Sequence, residues 1–199
     1  MKRICLMLCV LCGYALGAGE LRSGDLLFVR ASQSSFDTAI VAATKSKQDT
    51  PNYTHVGIVE VDKGEVYVIE ASPELGVVRV GLKQFEKANP HYDVYRLKNK
   101  QDFARIITRA KGYLGQPYDF YYRVDNGKMY CTELVWESYL DERGARIFEA
   151  KPMNFYDEKG RLPAYWQESF KKLGAQVPQG ELGTNPNAMA QSPALQKVR

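Results

Sequence analysis

The residues of this chain that could perform chemistry are few, and one cysteine stands apart from the others. The sequence holds four cysteines and two histidines in 199 residues. Cys5, Cys9 and Cys12 all lie within the first 19 residues, so a chain that loses this segment keeps only Cys131. A single cysteine cannot form an internal disulfide. It is therefore buried and inert, paired with another chain, or used as a nucleophile.

The sequence around Cys131 favours the nucleophile. Cys131, Leu134 and Val135 share one face at helical spacing, so a helix is predicted to begin near the cysteine. The free N–H groups and the positive dipole end at a helix start favour a thiolate, which is the reactive form. Glu133 in the same turn would offset part of this gain by its negative charge. A helix start does not activate a thiol fully, so a base is also needed.

Of the two histidines, His55 is the better candidate for that base. It lies in a predicted strand, whereas His91 lies in a predicted surface loop. Gly57 falls on the same strand face as His55 and leaves room for another group to approach the imidazole. The alternative is that His55 is a structural residue of the strand core.

Glu70 is the candidate for the group that orients the imidazole. It is an acidic residue placed between apolar residues near the end of the next predicted strand. If a two-residue turn at Lys63-Gly64 joins the two strands, Glu70 falls opposite Gly57, on the face of His55 and within reach of it. A three-residue turn would place Glu70 on the other face. The alternative is a surface carboxylate.

A tyrosine-rich stretch precedes the cysteine, and Tyr118 is the candidate in it for binding a substrate carbonyl or its developing oxyanion. The Cys131 backbone N–H is the other expected donor. The alternative is that these aromatic side chains only pack in the core or anchor a loop.

Short strands and flanking helices are predicted to position these groups. The predicted strands are 25–30, 54–61, 65–71, 76–80 and 92–97. The predicted helices are 36–44, 82–88, 102–113 and one that begins near residue 131. Because the strands follow one another closely in sequence, the sheet should be mainly antiparallel, in an α+β fold with flanking helices.

Three segments are predicted. Residues 1–19 have a positive start, an apolar stretch and small residues at the exit, which is typical of a signal peptide; the alternative is a short N-terminal anchor. Residues 20–174 are expected to form the catalytic domain. Residues 175–199, rich in Gly, Pro, Asn, Gln and Ala, are expected to form a flexible C-terminal tail. The protein is therefore expected to be secreted or periplasmic, without stable membrane insertion after signal cleavage.

Composition excludes several classes of protein. A hydrophobic share of 45% and an aromatic share of 12% supply a core, so the chain is not intrinsically disordered. The net charge is only +4 and there is no long basic stretch, so nucleic acid is not an expected partner. One cysteine and two separated histidines supply no ligand cluster, so we expect no metal site and no cofactor.

Four motifs of the chain resemble those of a known family. They are Gly24–Phe28, Thr54–Val59, Val68–Ala71 and Tyr130–Val135, in that order. Over roughly residues 22–140 the sequence is similar to the permuted papain-like amidases of the YiiX/YaeF type, which are relatives of the NlpC-type cell-wall peptidases. In the permuted amidases, as in this chain, the histidine precedes the cysteine. The resemblance implies a circularly permuted papain-like (NlpC-type) fold and a bacterial envelope setting. It also implies a nucleophilic Cys131, a basic His55 and an orienting Glu70, with Tyr118 in a place similar to a tyrosine of the NlpC type.

These observations predict an exported cysteine hydrolase that cleaves an amide bond in a small peptide or cell-wall fragment through an acyl-enzyme. Two alternatives stay open. The same residues would serve a lipid-ester hydrolase or acyltransferase of the lecithin–retinol acyltransferase type, acting on an acyl-lipid, for which a long apolar groove is expected. A catalytically silent binding module would use the same pocket without an activated thiol.

Overall fold

The computed structural model describes residues 20–44 and 51–199, so the predicted signal peptide, 1–19, lies outside the described residues. The strands are β1 (Leu26–Arg30), β2 (Tyr53–Asp62), β3 (Glu65–Ser72), β4 (Gly76–Gly81), β5 (Tyr92–Leu97), β6 (Lys151–Pro152), β7 (Leu182–Gly183) and β8 (Leu195–Lys197). The helices are α1 (Ser35–Thr44), α2 (Leu82–Ala88), α3 (Phe103–Gly112), α4 (Cys131–Ser138), α5 (Ala164–Leu173) and α6 (Pro186–Ala190). The elements predicted before residue 140 are present.

A six-stranded sheet organises the fold, with the strand order β4-β3-β2-β1-β5-β8. Each neighbouring pair in this sheet is antiparallel. Strands β6 and β7 form a separate two-stranded sheet. The predicted α+β fold with a mainly antiparallel sheet and flanking helices is confirmed.

The β2–β3 hairpin has the register on which the predicted placement of Glu70 depends. Lys63 and Gly64 form its two-residue turn with φ values of 51° and 85°, both in the left-handed region that a type I′ turn requires. The paired residues are Asp62 with Glu65, Val61 with Val66, Glu60 with Tyr67, Val59 with Val68 and Ile58 with Ile69. Continuing this register places Glu70 opposite Gly57, on the sheet face of His55.

Apolar side chains pack on both faces of the sheet. On one face, Phe28 and Ile58 belong to a core that includes Ile106 of α3 and Leu134 of α4. On the other face a smaller cluster packs around Phe85 of α2. A third cluster joins α1 to α5. Helix α4 thus lies against the sheet and contacts β2, which carries the candidate base.

The segment 175–199 is ordered, so the prediction of a flexible tail is wrong. Strand β8 extends the main sheet by pairing with β5, and Lys197 Nζ lies 2.8 Å from a carboxylate oxygen of the buried Asp93. The buried side-chain oxygen of Asn187 accepts the N–H of Tyr53 at 2.7 Å. Burial and ion pairing at a few positions order a segment whose composition is that of a linker.

Among residues 20–44 and 51–199, no helix is both long enough and apolar enough to cross a bilayer.

Candidate active site

A β-bulge in β2 positions His55. Val29 of β1 pairs with His55, whereas the next residue, Arg30, pairs with Tyr53, so Thr54 is the extra residue of the bulge. An extra residue bends and twists a strand locally, and bulges are common where a side chain is aimed at a site. The irregularity of β2 therefore falls at the predicted base.

His55 and Glu70 are in contact, as the hairpin register requires. His55 Nε2 lies 2.6 Å from Glu70 Oε2, and both side chains are largely buried. The Phe85 ring lies over the imidazole, with ring centroids 6.5 Å apart and planes inclined by 29°. The space expected beside Gly57 is filled, because a Cβ there would meet Val68 at 2.5 Å and Phe85 at 3.3 Å. With Nε2 held by Glu70, Nδ1 is the ring nitrogen left for a thiol.

Cys131 is the first residue of α4, as the sequence predicts. A backbone N–H in this position has no intrahelical acceptor, and the positive end of the helix dipole lies near the sulfur. The residue is 6% exposed and lines a cavity. The next residue, Thr132, accepts a hydrogen bond of 2.9 Å from the hydroxyl of Thr184, which ties the start of the helix to the C-terminal segment.

The Cys131 thiol and Glu70 both act on the His55 imidazole. Burial by itself would lower the pKa of His55. The hydrogen-bonding contact with the Cys131 sulfur, the hydrogen bond to Glu70 and the negative charges of these partners outweigh burial and raise the pKa of His55 to about 10. The arrangement therefore favours the imidazolium form of His55 at neutral pH.

The sequence predicts that the negative charge of Glu133 opposes a thiolate at Cys131, but the structure does not support this at neutral pH. Glu133 is almost fully buried, and its Oε2 accepts the N–H of Tyr130, the residue before the helix, at 3.3 Å. Burial, helped by the carboxylates of Asp119, Glu137 and Asp125, raises the pKa of Glu133 from 4.5 to about 8. The side chain is mostly neutral at pH 7, so it does not offset the helix dipole.

The Glu133→Gln variant should therefore change thiol reactivity only at alkaline pH. Below about pH 7 the side chain at position 133 is mostly neutral in the wild type and neutral in the variant, so iodoacetamide should alkylate Cys131 of the variant at the wild-type rate. Above about pH 8 the wild-type carboxylate disfavours the thiolate, and the variant should react roughly threefold to tenfold faster. Because the folded chain holds the Glu133 proton more strongly, wild-type stability should also fall as the pH rises from 4.5 to about 8. A faster variant already at about pH 6 would show that Glu133 is ionised there and contradict the assignment.

A cavity and a cleft adjoin the candidate residues. The cavity, about 60 Å³, contains Cys131 and is lined mainly by apolar and aromatic side chains. The cleft, about 350 Å³, contains His55 and Glu70. Tyr118 and Thr54 line both spaces. The candidate carbonyl-binding tyrosine is therefore shared by the thiol side and the imidazole side of the site.

The C-terminal segment supplies cavity residues that the sequence analysis missed. Thr184, Asn185 and Pro186 line the cavity that contains Cys131. The Asn185 side chain caps α6 by accepting the N–H of Ala188 at 2.8 Å. The Asn185-Pro186 pair, an N-cap residue followed by a first-turn proline, is the signal in the sequence that could have predicted order here.

The chain is similar to a described protein family, to a curated protein and to a solved structure. A family model described as "Permuted papain-like amidase enzyme, YaeF/YiiX, C92 family" matches residues 20–199. The uncharacterized protein YiiX of Escherichia coli strain K12 is 30% identical over 206 aligned residues, which cover 100% of this chain and 96% of that protein. A crystal structure described as that of the metalloprotein YiiX from Escherichia coli O157:H7 matches with a TM-score of 0.73 and 28% identity, over 89% of this chain and 96% of the other.

Proposed function

This chain belongs to the permuted papain-like amidases of the YaeF/YiiX type, and we propose that it is an exported enzyme that cleaves amide bonds through Cys131, His55 and Glu70. Membership in the family makes it a papain-like cysteine amidase. The observation that carries the residue assignment is the 2.6 Å hydrogen bond between His55 Nε2 and Glu70 Oε2, with Cys131 near enough to the ring to raise the pKa of His55.

The proposed reaction follows from these contacts. The Cys131 thiolate attacks the carbonyl carbon of the amide, and the negative charge that develops on the carbonyl oxygen is met by the Cys131 N–H and the Tyr118 hydroxyl. The His55 imidazolium gives its proton to the nitrogen as the C–N bond breaks, which releases an amine and leaves a thioester. Neutral His55 then takes a proton from water, whose oxygen attacks the thioester and frees the acid. Glu70 holds the ring orientation throughout.

The size of the cavity limits the size of the acyl group that can enter it. Its lining is mainly apolar, which suits an apolar amino-acid side chain in a peptide or cell-wall fragment and equally an acyl-lipid. One water molecule needs roughly 10–15 Å³ of cavity volume, so the cavity of about 60 Å³ holds about four to six water-sized groups. That is room for a small side chain and too little for a long hydrocarbon chain. A peptide-type amide is therefore the proposed substrate, and a lipid ester is the second candidate.

The metal in the description of the solved relative is not part of the proposed reaction. In the described part of this chain, no group of three or more histidine, cysteine, aspartate or glutamate side chains could hold a metal ion. Residues 20–44 and 51–199 therefore do not fit such a site, and no step is assigned to a metal. Export is proposed on the pattern of residues 1–19 alone.

Intact-mass spectrometry of the protein with three acyl donors tests the proposal. The donors are the p-nitroanilide of N-acetylalanine, its p-nitrophenyl ester and p-nitrophenyl palmitate. Both N-acetylalanine donors should add one acyl mass that hydroxylamine removes, and prior blocking of Cys131 with iodoacetamide should prevent it. An adduct from the palmitate alone would support the lipid-ester candidate. No adduct from any donor would support the silent binding module.

A further inference from the structure

Tyr122 has an unusual backbone conformation that a buried carboxylate imposes. Its φ is 54°, in the left-handed region that a bulky residue seldom adopts. The Asp119 carboxylate accepts the N–H of the residue before it, Tyr121, at 2.9 Å and of the residue after it, Arg123, at 2.7 Å. Asp119 also accepts a hydrogen bond of 3.0 Å from the Asn126 side chain and is fully buried. The loop is therefore built to hold Tyr122 in this conformation.

The Tyr122 ring is fixed among other aromatic rings, but its hydroxyl is unsatisfied. Its ring centroid lies 5.6 Å from that of Tyr130, 5.5 Å from that of Trp166 and 5.9 Å from that of Phe155. The hydroxyl oxygen is buried and has no hydrogen-bond partner among the described residues. The nearby Tyr118 hydroxyl affects the pKa of Tyr122, but the two hydroxyls do not meet hydrogen-bonding geometry. Leaving a buried hydroxyl unpaired costs free energy, so such a group calls for an explanation.

The location of Tyr122 supplies that explanation, because the residue lines the cavity that contains Cys131. Other buried polar atoms without a partner in residues 20–44 and 51–199 belong to Asn52 and Ser138, which do not line it. Two polar neighbours in the cavity wall, Thr132 and Thr184, are already paired, because their hydroxyls bond to each other. Burial raises the pKa of Tyr122 well above its usual value, so the hydroxyl keeps its proton.

We propose that Tyr122 determines acyl specificity by donating its hydroxyl hydrogen to an acceptor atom on the acyl group that enters the cavity beside Cys131. The preferred acyl group is then a small apolar group that carries one carbonyl-type acceptor, as an N-acylated amino acid does, and not a plain hydrocarbon. The inference rests on the proposed function and narrows its substrate class.

Two matched alkylating probes test this without requiring turnover. One is the chloromethyl ketone of N-acetylglycine, and the other is the chloromethyl ketone of isocaproic acid, in which methyl and methylene groups replace the amide oxygen and nitrogen. Rates of Cys131 labelling are divided by the rate of each probe with free N-acetylcysteine. The wild type should prefer the N-acetylglycine probe. Tyr122→Phe should lower that rate about fivefold to tenfold and leave the hydrocarbon probe unchanged.

Controls separate the possible failures. Tyr121→Phe, which removes the hydroxyl of the neighbouring tyrosine outside the cavity lining, should leave both rates unchanged. Tyr122→Phe should melt no lower than the wild type, because it removes an unpaired buried group. No wild-type preference, or an equal loss with both probes, would overturn the inference. The proposed function fails separately if iodoacetamide labels Cys131 no faster than N-acetylcysteine at about pH 5.5.

Discussion

The Cys131→Ala variant is expected to lose turnover by a factor of about 10⁴ or more while keeping the wild-type fold. Alanine has no nucleophile, and no other cysteine is present in residues 20–199. The position is 6% exposed and begins α4, where alanine is compatible with the helix. The loss should therefore come from chemistry and not from unfolding.

The measurement for Cys131→Ala is steady-state hydrolysis of the N-acetylalanine p-nitrophenyl ester, with thermal unfolding followed by circular dichroism in parallel. Cys131→Ser is the matched variant: it keeps an oxygen nucleophile of similar size, but a hydroxyl does not form the ion pair that His55 favours, so it should also be inactive. Hydrolysis by Cys131→Ala at the wild-type rate would eliminate the thioester mechanism, regardless of the rate measured for Cys131→Ser.

The contact between His55 and Glu70 was predictable because a local feature sets a long-range register. Lys63 and Gly64 are residue types that accept the left-handed conformations of a two-residue turn, and that turn decides which face Glu70 occupies. The position of Cys131 at a helix start was predictable in the same way, from the spacing of the apolar residues that follow it.

Other parts of the site depend on contacts that no local pattern carries. The bulge at Thr54 results from how β2 pairs with β1, and no residue type in β2 marks it. The docking of Thr184 against Thr132 joins residues 52 positions apart. The conformation of Tyr122 depends on a carboxylate that looks solvated in the sequence and is buried in the fold. Each of these depends on burial of polar groups, which hydrophobic periodicity does not reveal.

The His55→Ala variant is expected to lose both turnover and the reactivity of Cys131 in acid. General base catalysis contributes about 10²–10⁴-fold, so kcat/KM for the N-acetylalanine ester should fall within that range. An ordinary thiol has a pKa of about 8.5 and is about one part in a thousand thiolate at about pH 5.5. Without the imidazolium, labelling by iodoacetamide at that pH should fall toward the rate of N-acetylcysteine.

The shape of the pH profile is the sharper measurement. The pKa of His55 is raised to about 10, so the imidazolium persists at neutral pH, and the wild-type labelling rate should change little between about pH 5.5 and pH 7, where Glu133 is also mostly neutral. The variant should instead gain about tenfold per pH unit below the pKa of an ordinary thiol. If His55→Ala lost turnover but its labelling rate stayed independent of pH, His55 would act in a later proton transfer and not in thiolate formation.

His91→Ala is the matched control, because it removes the other histidine of the chain from an exposed position next to β5. Its turnover and its labelling profile should equal those of the wild type. If wild-type labelling were as steep as that of N-acetylcysteine, the imidazole would not hold an anionic sulfur, and the pocket would be a binding site without an activated nucleophile. If His55→Ala labelled at the wild-type rate at about pH 5.5, the helix start alone would supply the activation.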